Sequence, residues 1–282
     1  MISDYIFLLL NSTDKTVIAV FLVALFGLII YFGFRMVEML YVMKKRKPLY
    51  IHFYFSKKRL TSDQLVILKN FSFFDRLEKK EKIYFEHRVA NFVKDKTFIG
   101  RDGLSISEEH EVLISATAVM LTFGFRDYFI GLIDKIFVYP KTFYSTINEE
   151  NHKGEFNPKL KALVLSWEDF LKGHIIGNDN LNVGIHEFAH AIHLNSIKER
   201  DVSSTIFKDS FRELTDLLSN DKPLRDKLIQ SKYFRDYAYT NQFEFVAVLV
   251  EYFIESPEEF QTHFPRIYSK VRQMLNFNFT GY

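Results

Sequence analysis

One apolar run constrains the fold of this chain more than any other feature. Thr16 to Phe34 forms an apolar stretch of about nineteen residues that stops at Arg35, and this is long enough to cross the hydrocarbon core of a bilayer as a helix. A buried core helix is the alternative, but it would leave the basic cluster at residues 44–47 unexplained. The run therefore predicts a transmembrane helix at about residues 16–34.

The charges on either side of the run predict its orientation. Basic residues 44–47 follow it, whereas Asp4, Asp14 and Lys15 precede it. Because positively charged flanks stay in the cytoplasm, we expect a single-pass protein of the cell inner membrane with the bulk of the chain cytoplasmic. A cleaved signal peptide would carry its basic residues before the run and a small-residue cleavage site after it, and the sequence has neither.

The rest of the chain predicts one further domain. We assign residues 1–47 to the anchor with its basic flank, 48–61 to a juxtamembrane linker and 62–282 to that domain. Apolar residues recur there mostly at helical spacing, whereas two β-branched and aromatic runs predict strands. The fold class expected is α+β, mostly helical with a small β-sheet.

Several boundaries follow from the turn residues and the polarity of the sequence. The predicted segments are strands at 135–139 and 162–167, a polar loop at 148–158, a connection at 168–178 and a single last helix from Ser256 to about Leu275.

Composition limits the chemistry that this domain can perform. The chain contains no cysteine, which excludes disulfides, thiolate zinc ligands and a cysteine nucleophile. Any zinc ion must therefore be held by His, Glu or Asp. The net charge of +2, without a long Lys/Arg stripe, argues against a nucleic-acid-binding surface.

The sequence at residues 184–190, Gly-Ile-His-Glu-Phe-Ala-His, contains the pattern H-E-x-x-H. On a helix, His186 and His190 lie one turn apart on the same face and can bind one metal ion. Glu187 then lies where it can polarise a metal-bound water without being a ligand. An amphipathic helix with two buried, hydrogen-bonded histidines is the alternative. Asp179 or Asn180 is expected to cap this helix.

A catalytic zinc needs a third protein ligand and one open position. The extended histidine motif would need glycine at 193 and histidine or aspartate at 196, but His193 and Ser196 stand there. A glutamate from another helix is left, and Glu244 and Glu251 share one face of an apolar helix. Their spacing does not rank them, because Asn241 as N-cap could satisfy Glu244 in a capping box.

Three segments together resemble the Mlc titration factor A family of zinc peptidases. They are residues 164–167, the H-E-x-x-H segment, and residues 236–253 with the pattern E-x-x-A-V-x-x-E-x-F. The resemblance covers roughly residues 65–275. It implies a gluzincin-type, zincin-like metallopeptidase domain in which Glu244 is the third zinc ligand. It also implies that Tyr237 stabilises the oxyanion, with Tyr239 as its nearest rival.

The chain departs from the enterobacterial members of that family in several ways. Those proteins are soluble, carry aspartate where His193 stands, and some use a further histidine to which His152 does not align. We interpret His193 as an outer donor to the metal site, a substrate contact or a structural residue. Glu155 would either bind a substrate amine or be a solvated loop carboxylate, and Glu251 would support the ligands or pack the helix.

These patterns predict zinc-dependent peptide hydrolysis of the aminopeptidase type at the cytoplasmic face of the membrane. The substrate would be a peptide or protein, paired as an extended strand with the strand that ends at Trp167. The rival hypothesis is a membrane-tethered binding protein that sequesters a transcriptional regulator. Its metal site would then be structural or vestigial.

Overall fold

The computed structural model describes residues 12–145 and 149–279. Three parts of the predictions lie outside the described residues. They are Asp4, Asn148 at the start of the predicted loop, and residues 280–282 at the end of the predicted domain. The chain divides into two compact units between Lys45 and Arg46. The two units are described separately below.

The N-terminal unit is a single helix, α1 (Ser12–Lys45). Over the described residues it is one helix that is long and apolar enough to cross a membrane, and it extends beyond the predicted span of 16–34 at both ends. None of its most apolar window is buried, unlike a core helix, although a signal sequence would have a similar length and composition. The side chains of Phe21, Phe26 and Phe32 are all more than half exposed.

The C-terminal unit is mostly helical, with a core filled largely by phenylalanine, including the fully buried Phe85, Phe188 and Phe253. A short 3-10 turn at Asp236–Tyr239 precedes the helix that carries the two predicted glutamates. The described helices are α2 (Ser62–Lys69), α3 (Ser72–Arg76), α4 (Lys79–Asp95), α5 (Glu108–Leu121), α6 (Trp167–Ile175), α7 (Val183–Lys198), α8 (Val202–Asn220), α9 (Lys222–Ser231), α10 (Gln242–Glu255), α11 (Pro257–His263) and α12 (Pro265–Met274).

Short strands form two sheets beside these helices. They are β1 (Thr97–Gly100), β2 (Lys135–Tyr139), β3 (Phe143–Ser145), β4 (Glu150–His152), β5 (Gly154–Asn157) and β6 (Ala162–Ser166). The main sheet has the order β1-β2-β6-β5, with β5 antiparallel to β6 and the other pairs parallel, and β3 pairs with β4. The predicted fold class, α+β after one long apolar N-terminal helix, is confirmed.

The structure differs from three of the local predictions. Residues 150–157 form β4 and β5 rather than a loop, and α6 occupies most of the predicted connection at 168–178. The side chain of Ser166, the last residue of β6, caps α6 by accepting a hydrogen bond from the backbone of Asp169. The predicted last helix is divided into α11 and α12, because Pro265 lacks the backbone N–H that a continuous helix would need.

The segment before α2 is fastened to the C-terminal unit through the buried side chain of Arg88. Its guanidinium donates to the hydroxyl of Tyr54 at 2.6 Å and to the carbonyl of Ile51 at 3.2 Å. Its remaining hydrogen bonds go to the backbone carbonyls of Thr122, Phe123 and Phe125. Residues within the predicted 48–61 linker therefore pack against the unit, while the predicted domain boundaries stay a prediction.

Replacing Arg88 with methionine should lower the free energy of unfolding by about 3 kcal/mol or more, because several buried carbonyls would lose their donor. Thermal unfolding of the full-length chain in detergent measures this change. Arg101→Met is the matched control on an exposed arginine, where a change within about 0.5 kcal/mol is expected. Equal effects of the two substitutions would contradict the structural role of Arg88.

Candidate metal centre

Helix α7 carries the H-E-x-x-H residues, and its N-terminus is fixed by Asn182. The side chain of Asn182 accepts a hydrogen bond from the backbone of Ile185 at 3.0 Å and donates one to the carbonyl of Gly173 at 2.9 Å. The prediction that Asp179 or Asn180 caps this helix is therefore wrong. Asn180 instead has a positive φ of 57° in the preceding loop.

Three side chains from α7 and α10 converge beside each other. The Nε2 atoms of His186 and His190 lie 3.1 Å apart. Glu244 places one carboxylate oxygen 3.0 Å from Nε2 of His186 and the other 3.4 Å from Nε2 of His190. These residues form a cluster that could hold a metal ion. The structure thus brings together the three residues predicted as metal ligands.

The spacing of the three ligand atoms fits a tetrahedral zinc ion. With zinc–ligand bonds of about 2.0–2.1 Å, neighbouring corners of a tetrahedron lie about 3.3 Å apart. The two Nε2 atoms are 3.1 Å apart, and each has a Glu244 oxygen nearby, one at 3.0 Å and the other at 3.4 Å. Two imidazole nitrogens and a carboxylate oxygen are also ligands that suit zinc.

Glu251 contacts the opposite side of the His186 ring. Its carboxylate accepts a hydrogen bond from Nδ1 of His186 at 2.6 Å and is itself almost completely buried. Arg235 pairs with both oxygens of this carboxylate, at 2.6 and 2.9 Å. These contacts from Arg235 through Glu251 fix the His186 ring so that its Nε2 faces Glu244 and His190. Outer partners of metal-bound histidines orient the ring in the same way.

The two glutamates left unranked by spacing therefore occupy different positions. Asn241 caps α10 by accepting hydrogen bonds from the backbones of Phe243 and Glu244. The carboxylate of Glu244, however, contacts the histidines rather than completing a capping box. Its position agrees with the ligand assignment that the family resemblance implied.

Protonation of this cluster reflects its concentrated negative charge. Burial lowers the pKa of His186, but its hydrogen bonds with Glu244 and Glu251 outweigh burial and raise the pKa to about 9. Burial by itself would raise the pKa of Glu244, but hydrogen bonds from His186 and His190 outweigh it and hold that pKa below its ordinary value. A cation is thus favoured among these side chains, and a metal ion that binds there displaces a proton.

Glu187 lies against the edge strand β5. Burial is the largest cause of its raised pKa, and a hydrogen bond from the backbone of Phe156 opposes that shift. A Cβ atom built on Gly154 would lie 2.7 Å from Cγ and 2.9 Å from Oε1 of Glu187, and 2.5 Å from Val183. Only glycine at position 154 leaves room for the carboxylate in this position.

We expect Gly154→Ala to reduce kcat/KM of the peptide hydrolysis predicted from the sequence by about 10²-fold, because the added methyl group displaces Glu187 from its position. Bound zinc, measured by elemental analysis, should be retained because none of its three ligands is touched. Gly177→Ala is the control, since a Cβ there meets nothing within 4 Å. Full activity in the Gly154→Ala variant would contradict the close packing described here.

Tyr237 and Tyr239 are distinguished by their surroundings. The ring of Tyr237 lies 5.9 Å from that of His186, centroid to centroid. Burial, followed by the charge of Glu244, raises the pKa of Tyr237 to about 12, so its hydroxyl stays a hydrogen-bond donor at neutral pH. The hydroxyl of Tyr239 instead donates to the carbonyl of Leu228 at 3.2 Å.

A cleft of about 370 Å³ runs alongside Glu187 and Tyr237. One wall is formed by β4, Lys153 and the first residue of β5, and the others come from α6 and from the loop before α7. Charged side chains of both signs line it beyond the metal cluster: Lys153, Asp169, Lys172, Asp179 and Arg235. Lys153 and Asp169 pair with each other at 3.0 Å.

The strand available for pairing with a peptide differs from the predicted one. The strand that ends before Trp167 is β6, which lies between β2 and β5 and has no free edge. The edge beside the cleft belongs to β5. Because the carbonyl of Lys153 accepts a hydrogen bond from Ser166 on the β6 side, the alternating backbone groups of Gly154 and Phe156 face the outer edge.

The other histidine and glutamate candidates lie apart from the ligand cluster. His193 is buried with its ring 4.6 to 5.8 Å from those of Phe207, Phe211 and Phe243, and burial lowers its pKa to about 4. His152 lines the cleft. Glu155 follows Gly154 in β5, so its side chain projects to the face opposite the one that contacts Glu187.

Sequence reasoning missed Arg235, Asn182 and Gly154. One feature of the sequence could have indicated a residue such as Arg235. A glutamate on an otherwise apolar helix face needs a cationic or metal partner, and the sequence analysis named no cationic partner for Glu251. Gly154 lay in a polar segment interpreted as a loop, where glycine has no special meaning. Asn182 was passed over because Asp179 and Asn180 stand just before it.

Comparison with known proteins gives two matches. The family model described as glucose-regulated metallo-peptidase M90 matches residues 55–276. The uncharacterized protein slr2042 of Synechocystis sp. is 24% identical over 232 residues, which covers 74% of this chain and 82% of that protein.

Proposed function

Since this chain belongs to the M90 family of glucose-regulated metallopeptidases, the Mlc titration factor A family, we propose that it hydrolyses peptide bonds with a zinc ion. The proposed ligands are His186, His190 and Glu244. Family membership implies a metallopeptidase acting on a peptide or protein. The identity of the metal, the role of each residue and the cleavage mode are proposals.

The observation that carries the proposal is the convergence of three ligand side chains. The Nε2 atoms of the two histidines lie 3.1 Å apart, and Glu244 places one oxygen 3.0 Å from the first and its other oxygen 3.4 Å from the second. The cleft is lined by His186 and Glu187, so a substrate can reach this side of the cluster. A purely structural zinc site would have a fourth protein ligand, whereas the cluster found among the described residues has three.

When bound, zinc supplies Lewis acidity that acidifies a water molecule and polarises the scissile carbonyl. Glu187 accepts the proton of the attacking water and passes it to the leaving amine. Burial raises the pKa of Glu187 and so brings it closer to neutral pH. A pKa near the working pH favours both the uptake and the release of the proton. The hydrogen bond from Phe156 and the missing side chain of Gly154 hold it in place.

Two further side chains act around this centre. Tyr237, protonated at neutral pH, donates a hydrogen bond to the carbonyl oxygen as negative charge develops on it. Arg235 holds the Glu251 carboxylate against Nδ1 of His186, which fixes the direction in which Nε2 points. Arg235 is thus a positioning residue, and it also contacts the carbonyl of Asn180 in the loop that borders the cleft.

We propose that the substrate binds as an extended strand along the free edge of β5 and that cleavage is aminopeptidase-like. The outward backbone groups of Gly154 and the carbonyl of Phe156 offer the pairing partners, since the N–H of Phe156 already donates to Glu187. The carboxylate of Asp179 lines the cleft and can accept the amine of a chain end. Peptides with acetylated N-termini should then resist cleavage.

Helix α1 supports a location at a membrane. It is long and apolar enough to span the hydrocarbon core, and basic residues follow at its C-terminal end. We propose a single-pass anchor in the inner membrane with the peptidase unit in the cytoplasm.

The proposed function is tested with the full-length chain in detergent micelles. Chromogenic amino-acid and short-peptide substrates should be hydrolysed, the activity should disappear with 1,10-phenanthroline, and stoichiometric zinc should restore it. Hydrolysis that persists after complete removal of the metal would contradict the proposal. No hydrolysis with one zinc bound per chain would favour the rival, a membrane-tethered binding protein.

A further inference from the structure

Residues 52–55 alternate between a side that faces the C-terminal unit and a side that faces outward. His52 and Tyr54 point inward, where the ring of His52 stacks on that of Tyr84 at 4.5 Å. Phe53 and Phe55 point outward with exposures of 67% and 97%. The outward side is thus apolar, where water would favour polar residues.

The inward side chains fix this segment to the unit. Arg88 donates to the hydroxyl of Tyr54 at 2.6 Å and to the carbonyl of Ile51 at 3.2 Å. The backbone of Lys58 donates to Nδ1 of His87 at 2.7 Å. The outward phenylalanines are therefore held in one position on the surface and do not belong to a freely moving linker.

The outward aromatic rings touch one another in a row. Tyr50 and Phe53 lie 6.1 Å apart, and Phe53 and Phe55 lie 5.1 Å apart, both pairs edge to face. We call this row, Tyr50, Phe53 and Phe55, the aromatic ridge. Adjacent, exposed aromatic side chains of this size mark an interaction surface more often than a surface meant for water.

Positive charge borders the ridge on both sides along the chain. Lys57 and Lys58 follow it and are exposed, and the guanidinium of Arg126 lies 5.3 Å from the centre of the Tyr50 ring. Lys44, Lys45 and Lys47 precede it in the sequence, whereas Arg46 pairs with Asp209 and Glu213. Amphipathic aromatic rings beside lysines and arginines match the headgroup region of an anionic bilayer.

The position of the ridge in the sequence limits its distance from a membrane. Phe55 follows the last residue of α1, Lys45, by ten residues, which span at most about 35 Å when fully extended. If α1 crosses the bilayer with residues 16–34, its residues 35–45 add about 16 Å of helix, so the ridge lies within about 50 Å of the bilayer surface. A lipid surface is thus an apolar and charged partner within reach of this segment.

We propose that the aromatic ridge inserts into the headgroup region of an anionic lipid bilayer and that Lys57 and Lys58 bind the lipid phosphates. The peptidase unit then has a second attachment to the membrane besides its anchor. This inference rests on the proposal that α1 spans the membrane. It is independent of the proposed chemistry at the metal centre.

Site-directed spin labelling tests the proposal without further changes, because the chain has no cysteine. The full-length chain carries one label at Phe55→Cys, at Val66→Cys on the exposed side of α2, or at Phe26→Cys within α1. Each variant is placed in nanodiscs of equal parts phosphatidylcholine and phosphatidylglycerol. Power saturation compares the accessibility of the label to oxygen, which enters lipid, and to a nickel chelate, which stays in water.

The label at position 55 should show a severalfold higher oxygen-to-nickel accessibility ratio than the label at position 66, and the label at 26 should show the highest. A water-exposed label at 55 with a lipid-exposed label at 26 would overturn the proposal and leave the anchor intact. A water-exposed label at 26 would overturn the anchor and the inference resting on it.

Two further outcomes address the nature of the partner. Spin–spin broadening at position 55, with low access to both reagents, would mean that a second copy covers the ridge and would overturn the lipid assignment. In nanodiscs of phosphatidylcholine alone, the label at position 55 should lie less deep in the bilayer than in the nanodiscs that contain phosphatidylglycerol. An unchanged depth there would overturn the role given to Lys57 and Lys58.

Discussion

Replacing Glu244 with alanine should abolish zinc binding and, with it, peptide hydrolysis. Glu244 supplies one of three ligand atoms, with oxygens 3.0 and 3.4 Å from the Nε2 atoms of His186 and His190. The two histidines that remain do not form a catalytic zinc site, and we expect the affinity for zinc to fall on the order of 10³-fold. Competition with a chromogenic zinc chelator measures it.

Glu251→Ala is the matched variant, because it removes the same group from the same helix. It should weaken zinc binding by only about 10–100-fold, as expected for a residue that supports a ligand from behind. Glu251→Gln is a second variant that keeps the size of this buried side chain, in case Glu251→Ala fails to fold. Circular dichroism would detect such a loss of folding. Stronger loss of zinc in the Glu251 variants than in Glu244→Ala would reassign the third ligand.

The distinction between these two glutamates shows where sequence reasoning ended. Their spacing of seven residues places both on one face of α10, and both carboxylates need a partner there. Which of them meets Nε2 and which meets Nδ1 of His186 depends on how α10 lies along α7. That relation comes from packing between helices far apart in the chain, and only the family resemblance anticipated it.

Regular, strongly patterned elements were predictable from the residues alone. The strand Lys135–Tyr139 has its predicted bounds, because its β-branched and aromatic residues and the proline that follows define it locally. Strands β4 and β5 were missed since they have only three and four residues, none of them buried, and carry no apolar alternation. Pairing with β6 forms β5, and such pairing leaves little local signal.

That missed strand changed the substrate-binding prediction more than any boundary error. With β5 read as a loop, β6 appeared to be the edge of the sheet. The structure places β5 outside it, and with it Gly154 and the backbone of Phe156 beside Glu187. A polar segment that looked like a connection thus supplies both the wall of the cleft and the support of the proposed general base.

Glu187→Gln should lower kcat/KM by about 10²–10⁴-fold, the range that a general acid–base group contributes, while the bound zinc remains at the level of the unmodified chain. Glutamine keeps the size of the side chain and an oxygen for the hydrogen bond from Phe156, but it cannot take up the proton of water. Steady-state hydrolysis and elemental analysis of the same preparation measure both quantities.

The control for this substitution lies in the neighbouring strand. Glu155→Gln makes the same chemical change in β5 on the face opposite the one that contacts Glu187, and it should leave both activity and zinc unchanged. Activity that persists in Glu187→Gln would remove this residue from the mechanism. Loss of zinc from Glu187→Gln would instead mean that its carboxylate maintains the metal site, because a residue that only transfers protons is not needed for the three ligand atoms to meet.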